Sequence, residues 1–264
     1  MHPNDDQTDL EPSIEDSLAK QKGPSVLYED TRLAVINKPS GLLVHRGEGR
    51  DPWTLVDALK EMWRQETVYP VQRLDRGTSG VMLVAKDKEA AQHHQRLLLS
   101  GEIRKYYVTL VRGQCMQRGI IDHPLKTEKG VLQSARSQYE LLQWVEALPR
   151  SVSLVGVQTL TGRKHQIRRH MKHLSHPVIG DARYGKGPIN REMAQRYGLS
   201  RLALHASHLS FKHMETMQPV CVSASLPDDF ALPLQRMGFP VESITDGPIL
   251  YVQHEEERHQ SLEG

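Results

Sequence analysis

Apolar positions along this chain follow two periods, and the switches between them mark out its elements. SVLYED, RLAVINKP and GLLVHRG, near the start, are short apolar runs closed by a charge, Pro or Gly, which predicts strands. DPWTLVDALKEMWRQ changes the period: Trp53, Val56, Leu59 and Trp63 recur at helical spacing, and Asp51 before Pro52 predicts where the helix begins. GVMLVAKDKEAAQHHQRLLLSG runs from a strand, Val81 to Ala85, into a helix from about Lys88 to Leu99 that ends at Gly101. KYYVTLVRG, RSVSLVGVQTL and RLALHASHLSFKH read as strands from alternation and β-branched content. GRKHQIRRHMKHLS reads as a short basic helix with Ile167, Met171 and Leu174 on its apolar face.

Strands and helices do not alternate one by one, and no internal repeat is visible. The pattern therefore predicts an α+β fold with a mixed, mainly antiparallel sheet and flanking helices, rather than a doubly wound sheet. Residues 1–24 combine acids, Ser, Gln and two Pro without an apolar period, the composition of a disordered tail. One domain is expected over 25–240, followed by a second acidic tail, 241–264, in which PILYVQ could add an edge strand.

Charge changes the picture more than composition does. The net charge of the whole chain is only +2, but both tails are acidic, so the middle carries +11, the footprint of a polyanion-binding surface. From Thr161 to His213 there are eleven Lys or Arg against two acids, Asp181 and Glu192. Five of those cations, Arg163, Lys164, Arg168, Arg169 and Lys172, fall within ten residues with no interleaved acid to pair with, which suits phosphate neutralisation. The two cysteines form no C-x-x-C pair and are too few for a disulfide framework, so a reducing compartment, the cytoplasm, is expected. The N-terminus has acids where a secretory signal has bases, and no window approaches a membrane-spanning length of apolar residues.

Candidate chemistry centres on RLDRGTSG. Asp75 sits between Arg73 and Arg76, ahead of a Gly77-Thr78-Ser79-Gly80 turn whose N–H groups could hold a carboxylate ionised. On these residues alone it reads either as a turn cap or as a working acid. Tyr106 and Tyr107 occupy one strand, so one points inward and one outward. Either is a core aromatic by default, although an aromatic hydroxyl also suits a pocket for an extruded base. His165, His170, His173 and His176 lack an H-E-x-x-H pattern and stand among arginines that repel a divalent cation, so no metal site is expected. The glycines of GEGRD and YGKG do not make a nucleotide-phosphate loop.

Taken together, six blocks in order resemble the RluA-type pseudouridine synthase family over about residues 25–240. They are NKPSGLLVHRG, RLDRGTSGVMLVAKD, KYYVTLVRG, TGRKHQIRRH, HPVIGDARYG and RLALHASHLSF. The resemblance implies Asp75 as the essential aspartate, Tyr107 as the tyrosine of the K-x-Y block, and Arg168 as the arginine that pairs with the aspartate. It implies Arg73 where the target base leaves the helix, and Ile167 and Val178 as apolar wall positions. Thr78, Arg163, Lys164 and Arg169 complete the expected substrate-binding set. The chain departs from the family pattern at Gln72, where His is frequent before R-L-D, and at His213-Met214, where His-Pro is frequent. No S4-type RNA-binding module is expected ahead of the catalytic region.

The resemblance further implies isomerisation of uridine to pseudouridine without a cofactor. Within the family, LLVHRGEGRD, the basic run and GKGPINREMAQRYGLSRLALHAS are most similar to the branch that modifies uridine-65 of certain tRNAs. RNA, tRNA first, is thus the expected partner, with no metal, no membrane and a monomeric protein. The alternatives are the same reaction on ribosomal RNA and a non-catalytic RNA-binding protein.

Overall fold

The computed structural model describes residues 23–46 and 53–241. Its centre is a ten-stranded sheet with strand order β1-β2-β4-β11-β5-β10-β9-β6, onto which β3 and β12 pair at β4 and β11. In chain order the strands are β1 (Ser25–Glu29), β2 (Leu33–Lys38), β3 (Tyr69–Pro70), β4 (Ser79–Ala85), β5 (Arg104–Arg112), β6 (Arg118–Asp122), β7 (Leu125–Lys126), β8 (Leu132–Gln133), β9 (Arg136–Val145), β10 (Val152–Thr159), β11 (Leu204–Lys212) and β12 (Pro219–Ser223). β7 and β8 form a separate two-stranded hairpin. The described helices are α1 (Leu55–Trp63), α2 (Lys88–Ser100), α3 (Gln166–His173), α4 (Gly187–Tyr197) and α5 (Asp228–Arg236). The sheet is antiparallel except where β11 runs parallel to β4, so the mixed α+β class expected from the sequence is the one observed. No described helix is long and apolar enough to cross a membrane.

The central strands are covered on both faces. All seven residues of β4 and seven consecutive residues of β5 are buried, which is why they read as near-continuous apolar runs rather than alternating ones. α2 starts at Asp87, whose carboxylate accepts from the Ala90 amide, and stops at Gly101 with φ +84°, as the sequence indicated.

Two expectations near the N-terminus need correction. The first turn of α1 is organised by Thr54, not by Asp51 and Pro52, which lie outside the described residues; the Thr54 hydroxyl accepts from the Asp57 amide and the Asp57 carboxylate from the Thr54 amide. GLLVHRG forms no strand over its described part, Gly41–Arg46. The carbonyls of Leu43 and Val44 accept instead from the amides of Leu55 and Val56 (2.7 and 3.3 Å), so this segment satisfies the open N-terminus of α1. The ammonium of Lys38 holds it there from below, donating to the carbonyls of Pro39 (2.8 Å), Leu42 (2.7 Å) and Arg76 (3.2 Å). Burial first, and then repulsion from Arg201, lower the Lys38 ammonium to about 7. The acidic tails lie outside the described residues apart from their innermost positions, and PILYVQ lies wholly outside.

At the parallel junction, His205 pairs with Ser79 and Ala206 with Gly80. Gly80 has φ +110°, and a Cβ there would fall 2.0 Å from the Ala206 carbonyl oxygen, so glycine is required twice over. Beside it His205 Nε2 lies 3.0 Å from the Ala224 carbonyl and Nδ1 lies 2.7 Å from Ser79 Oγ. A carbonyl only accepts, so Nε2 carries the proton and Nδ1 accepts from Ser79, whose oxygen in turn accepts from Arg201 (2.8 Å). Burial takes the His205 imidazole down to about 4, in keeping with that neutral form. The end of the RLDRGTSG turn is thus fixed to a strand more than a hundred residues later in the chain.

Candidate active site

The Asp75 turn spans the gap between β3 and β4. Its backbone closes on itself through the Thr78 amide and the Asp75 carbonyl (3.0 Å) and is tied to the 39–42 segment at several points. Arg76 Nε donates to the Gly41 carbonyl (2.9 Å), the Gly41 amide to the Arg76 carbonyl (2.8 Å), and Ser40 Oγ to the Gly77 carbonyl (2.9 Å). Arg76, left without a role by the sequence, therefore braces the turn. No turn amide reaches the Asp75 carboxylate among the described residues, contrary to the expectation that such donors hold it.

The group that holds Asp75 comes from α3. The loop leading into that helix turns through His165 at φ +54°. It is pinned by Gln166, whose side-chain oxygen accepts from Thr161 Oγ1 (2.7 Å) and the Arg163 amide (3.0 Å) while its nitrogen donates to the Arg136 carbonyl (2.8 Å) and Ser137 Oγ (2.9 Å). Sequence reasoning passed over Gln166, although a polar side chain on the apolar face of a short helix was a signal. Ile167 and Met171 bury that face, and Arg168 projects toward the turn. The four histidines have separate tasks. His170 is fully buried between Ser137 and the His123 carbonyl, His173 stacks on His123 at 3.7 Å, His176 contacts the Arg112 carbonyl, and His165 borders the cleft.

Arg168 bridges two carboxylates. Nη1 donates to Asp75 Oδ2 at 2.9 Å, while Nε and Nη2 form a bidentate pair with Asp181 Oδ2 and Oδ1 at 2.7 and 2.9 Å. Asp181 also accepts from the amides of Arg183 and Tyr184. Burial pushes the Asp181 carboxyl up, but Arg168 and the two amides outweigh it and hold the group below the ordinary carboxylate range. Burial pulls the guanidinium down, and the two aspartates outweigh that as well, so it stays charged. The Tyr184 ring lies against the guanidinium with its centroid 5.1 Å away, and its hydroxyl meets His165 Nδ1 at 3.0 Å. Asp75 keeps its second oxygen, Oδ1, facing His165 Nε2 at 3.8 Å, too far for a hydrogen bond.

Asp75 opens into a cleft of about 310 Å³, a size suited to a small ligand or an extruded base. Arg73, Thr78, Tyr107, Arg163, Lys164 and Ile167 share its lining. Both tyrosines of the pair are buried, because the strand is covered on both faces, and Tyr107 is the one that enters the cleft; burial together with the Asp75 charge raises its phenol well above the usual range. Arg73 is exposed at the rim, and Lys164 pairs with Glu128 of the β7–β8 hairpin. Two expected positions fall elsewhere. Val178 is 1% exposed and bridges to Val111, which places it in the core and not in the cleft wall. Arg169 is not part of the lining, because the residue after Arg168 on a helix turns away by about 100°.

The RNA pseudouridylate synthase family matches residues 32–173, a segment containing Asp75, Tyr107 and Arg168. Among curated relatives, the tRNA pseudouridine synthase C of Haemophilus ducreyi is 38% identical over 234 residues, covering 81% of this chain and 96% of that protein. The protein of the same name from Vibrio cholerae is 35% identical over 235 residues, covering 81% and 96%. Among solved structures, human RNA Pseudouridylate Synthase Domain Containing 4 superposes with a TM-score of 0.66 at 28% identity, covering 84% of this chain and 96% of that one. An aspartate with one oxygen held by Arg168 and the other facing a base-sized cleft, on a fold and sequence shared with these proteins, identifies the chain as a pseudouridine synthase belonging to the RNA pseudouridylate synthase family.

Proposed function

We propose that this enzyme converts uridine to pseudouridine in tRNA, at uridine-65, with Asp75 as the reacting carboxylate. The observation that carries the role of Asp75 is its asymmetric environment: one oxygen is held by Arg168 at 2.9 Å and the other faces the cleft without a hydrogen bond. The tRNA substrate rests on the names and close similarity of the relatives.

Isomerisation breaks the N1–C1′ bond, turns the uracil and joins C1′ to C5, with no net redox change. Asp75 Oδ1 attacks C1′ or removes the C2′ proton, while Arg168 holds the other oxygen of the carboxylate in place. Tyr107 closes the pocket against the flipped base by stacking. Arg73 at the rim, with Arg163 and Lys164 beyond it, meets the phosphates and offsets the few kcal/mol that unstacking the nucleotide costs. We expect the protein to act as a monomer, and its basic middle to be the tRNA-binding face.

The direct test is tritium release from tRNA labelled at uridine C5, followed by pseudouridine mapping. Release from tRNA with a new pseudouridine at position 65 is the expected result. Release from ribosomal RNA alone would move the substrate, and RNA binding without release would favour a non-catalytic protein.

A further inference from the structure

Lys105 lies on β5 two residues before Tyr107, so both side chains leave the same face of the strand and enter the same cleft. Lys105 is 8% exposed, and its ammonium has no hydrogen-bond or ion-pair partner among the described residues. The other buried lysine among the described residues is not left in this state: Lys38 has three carbonyls, and the partly buried Arg168 and Arg201 have two carboxylates and both Asp229 and Ser79, respectively. Gly162 passes beside it at ordinary contact distance, 3.7 Å from Nζ to the position a Cβ would take. Thr159, on neighbouring β10, lies on the same wall beside the Tyr107 hydroxyl. The Lys105 ammonium is not sealed off, so it faces the cleft, where a ligand that displaces water must complete its hydrogen bonding.

We propose that Lys105 is a catalytic residue that donates a hydrogen bond to a uracil carbonyl and stabilises the negative charge that develops on the base when the glycosidic bond breaks. This rests on the pseudouridine synthase reading above. The N1–C1′ bond breaks with its electron pair on the uracil, where N1, O2 and O4 share the charge. C1′ passes to Asp75 Oδ1, or a C2′ proton does. The electron pair returns when C5 bonds to C1′, as the C1′–Oδ1 bond breaks or the C2′ proton is handed back; the C5 proton then leaves to solvent, N1 takes up one from solvent, and Lys105 ends with the protons it began with. A fixed ammonium in a cleft filled by the base stabilises such an anion more than it does the neutral ground state. It also favours uracil over cytosine, whose exocyclic amine at C4 is a donor that an ammonium cannot accept.

Burial lowers the Lys105 ammonium to about 8, so the step loses its donor as pH rises through that value. The groups around it titrate elsewhere: Tyr107 is raised, His165 is lowered by burial, Arg168 is raised, and Lys38 beneath the Asp75 turn sits at about 7.

The experiment is single-turnover tritium release from C5-labelled tRNA between pH 6.5 and about 9.5, with wild type, Lys105→Met and Lys105→Gln, alongside tRNA affinity and thermal melting. We expect Lys105→Met to lose about 10²-fold in rate, to keep tRNA affinity within about threefold, and to lose the fall in rate centred near pH 8. Lys105→Gln, which retains a neutral donor, falls between the two and carries the same test should the Met variant not fold. A near-wild-type rate overturns the proposal. So does a slower variant that keeps the fall near pH 8, or one that loses affinity and about one unit of salt slope at unchanged rate, which would make Lys105 a phosphate contact. Wild-type protein that releases no tritium from any RNA sinks the underlying reading instead.

Discussion

The two loops that meet at Arg168 carry carboxylates of opposite character. In the 71–78 turn, Asp75 is 24% exposed, has one bond to the guanidinium and turns its other oxygen to an open cleft. In the 176–185 loop, the Asp181 side chain is fully buried and both oxygens are committed, two bonds going to the guanidinium and two coming from amides. The bidentate side fixes where the guanidinium points, and an N–H of its free amino nitrogen, Nη1, is what Asp75 receives. Reactivity here is a matter of what a carboxylate has been left without.

The largest effect should come from the reacting side. Asp75→Asn is expected to abolish tritium release, a loss of at least about 10³-fold, while filter binding to tRNA changes by less than about threefold. Measurable turnover by that variant would remove the distinction between the two acids. Next comes the bridge: Arg168→Lys supplies one point charge where a planar fork serves two partners, so the rate should fall about 10²-fold. If lysine serves as well, the shared fork is irrelevant. Asp181→Asn should reverse the balance of effects, costing about 3 kcal/mol in urea unfolding but only about tenfold in rate, since it strands a largely buried guanidinium without touching substrate. Equal damage to rate and to stability by both aspartate variants would erase the comparison.

The smallest effect is a pH signature. Asp181 is held below the carboxylate value it has in the unfolded chain, so its contribution to stability is complete above that value, about 3.9, and is lost as pH falls through the folded-state value. The gap between wild type and Asp181→Asn in urea unfolding should therefore be constant near neutrality and narrow below about pH 4.

How much of this was legible in the sequence depends on range. Asp75, Tyr107 and Arg168 were legible because each sits in a distinctive block, and α2 because its cap residues and period agree. Helix α4 and the β7–β8 hairpin were not, since neither has a strong apolar period: α4 buries only Met193 fully, and both residues of β8 are exposed. Asp181 was visible only as the acid nearest the basic run, because nothing local says that its partner lies 13 residues back. Lys105 hid inside an apolar strand as an apparently surface-seeking residue. Val178 was misplaced for the converse reason, since an apolar residue beside a site motif fits a pocket wall and the core equally well.

The insertion of β11 between β4 and β5 has a consequence for how the enzyme can be made. β4 and β5 do not pair with each other, so a nascent chain that has not yet delivered Leu204–Lys212 holds two separate half-sheets: β1, β2, β3 and β4 in one, β5, β6, β9 and β10 in the other. Asp75 belongs to the first half, Tyr107 to the second, and Arg168 follows it. The family-matched segment 32–173 therefore lacks the strand, Leu204–Lys212, that joins the two half-sheets carrying these residues. Long-range closure of this kind is slow relative to local structure, so joining the two halves of the site waits on β11.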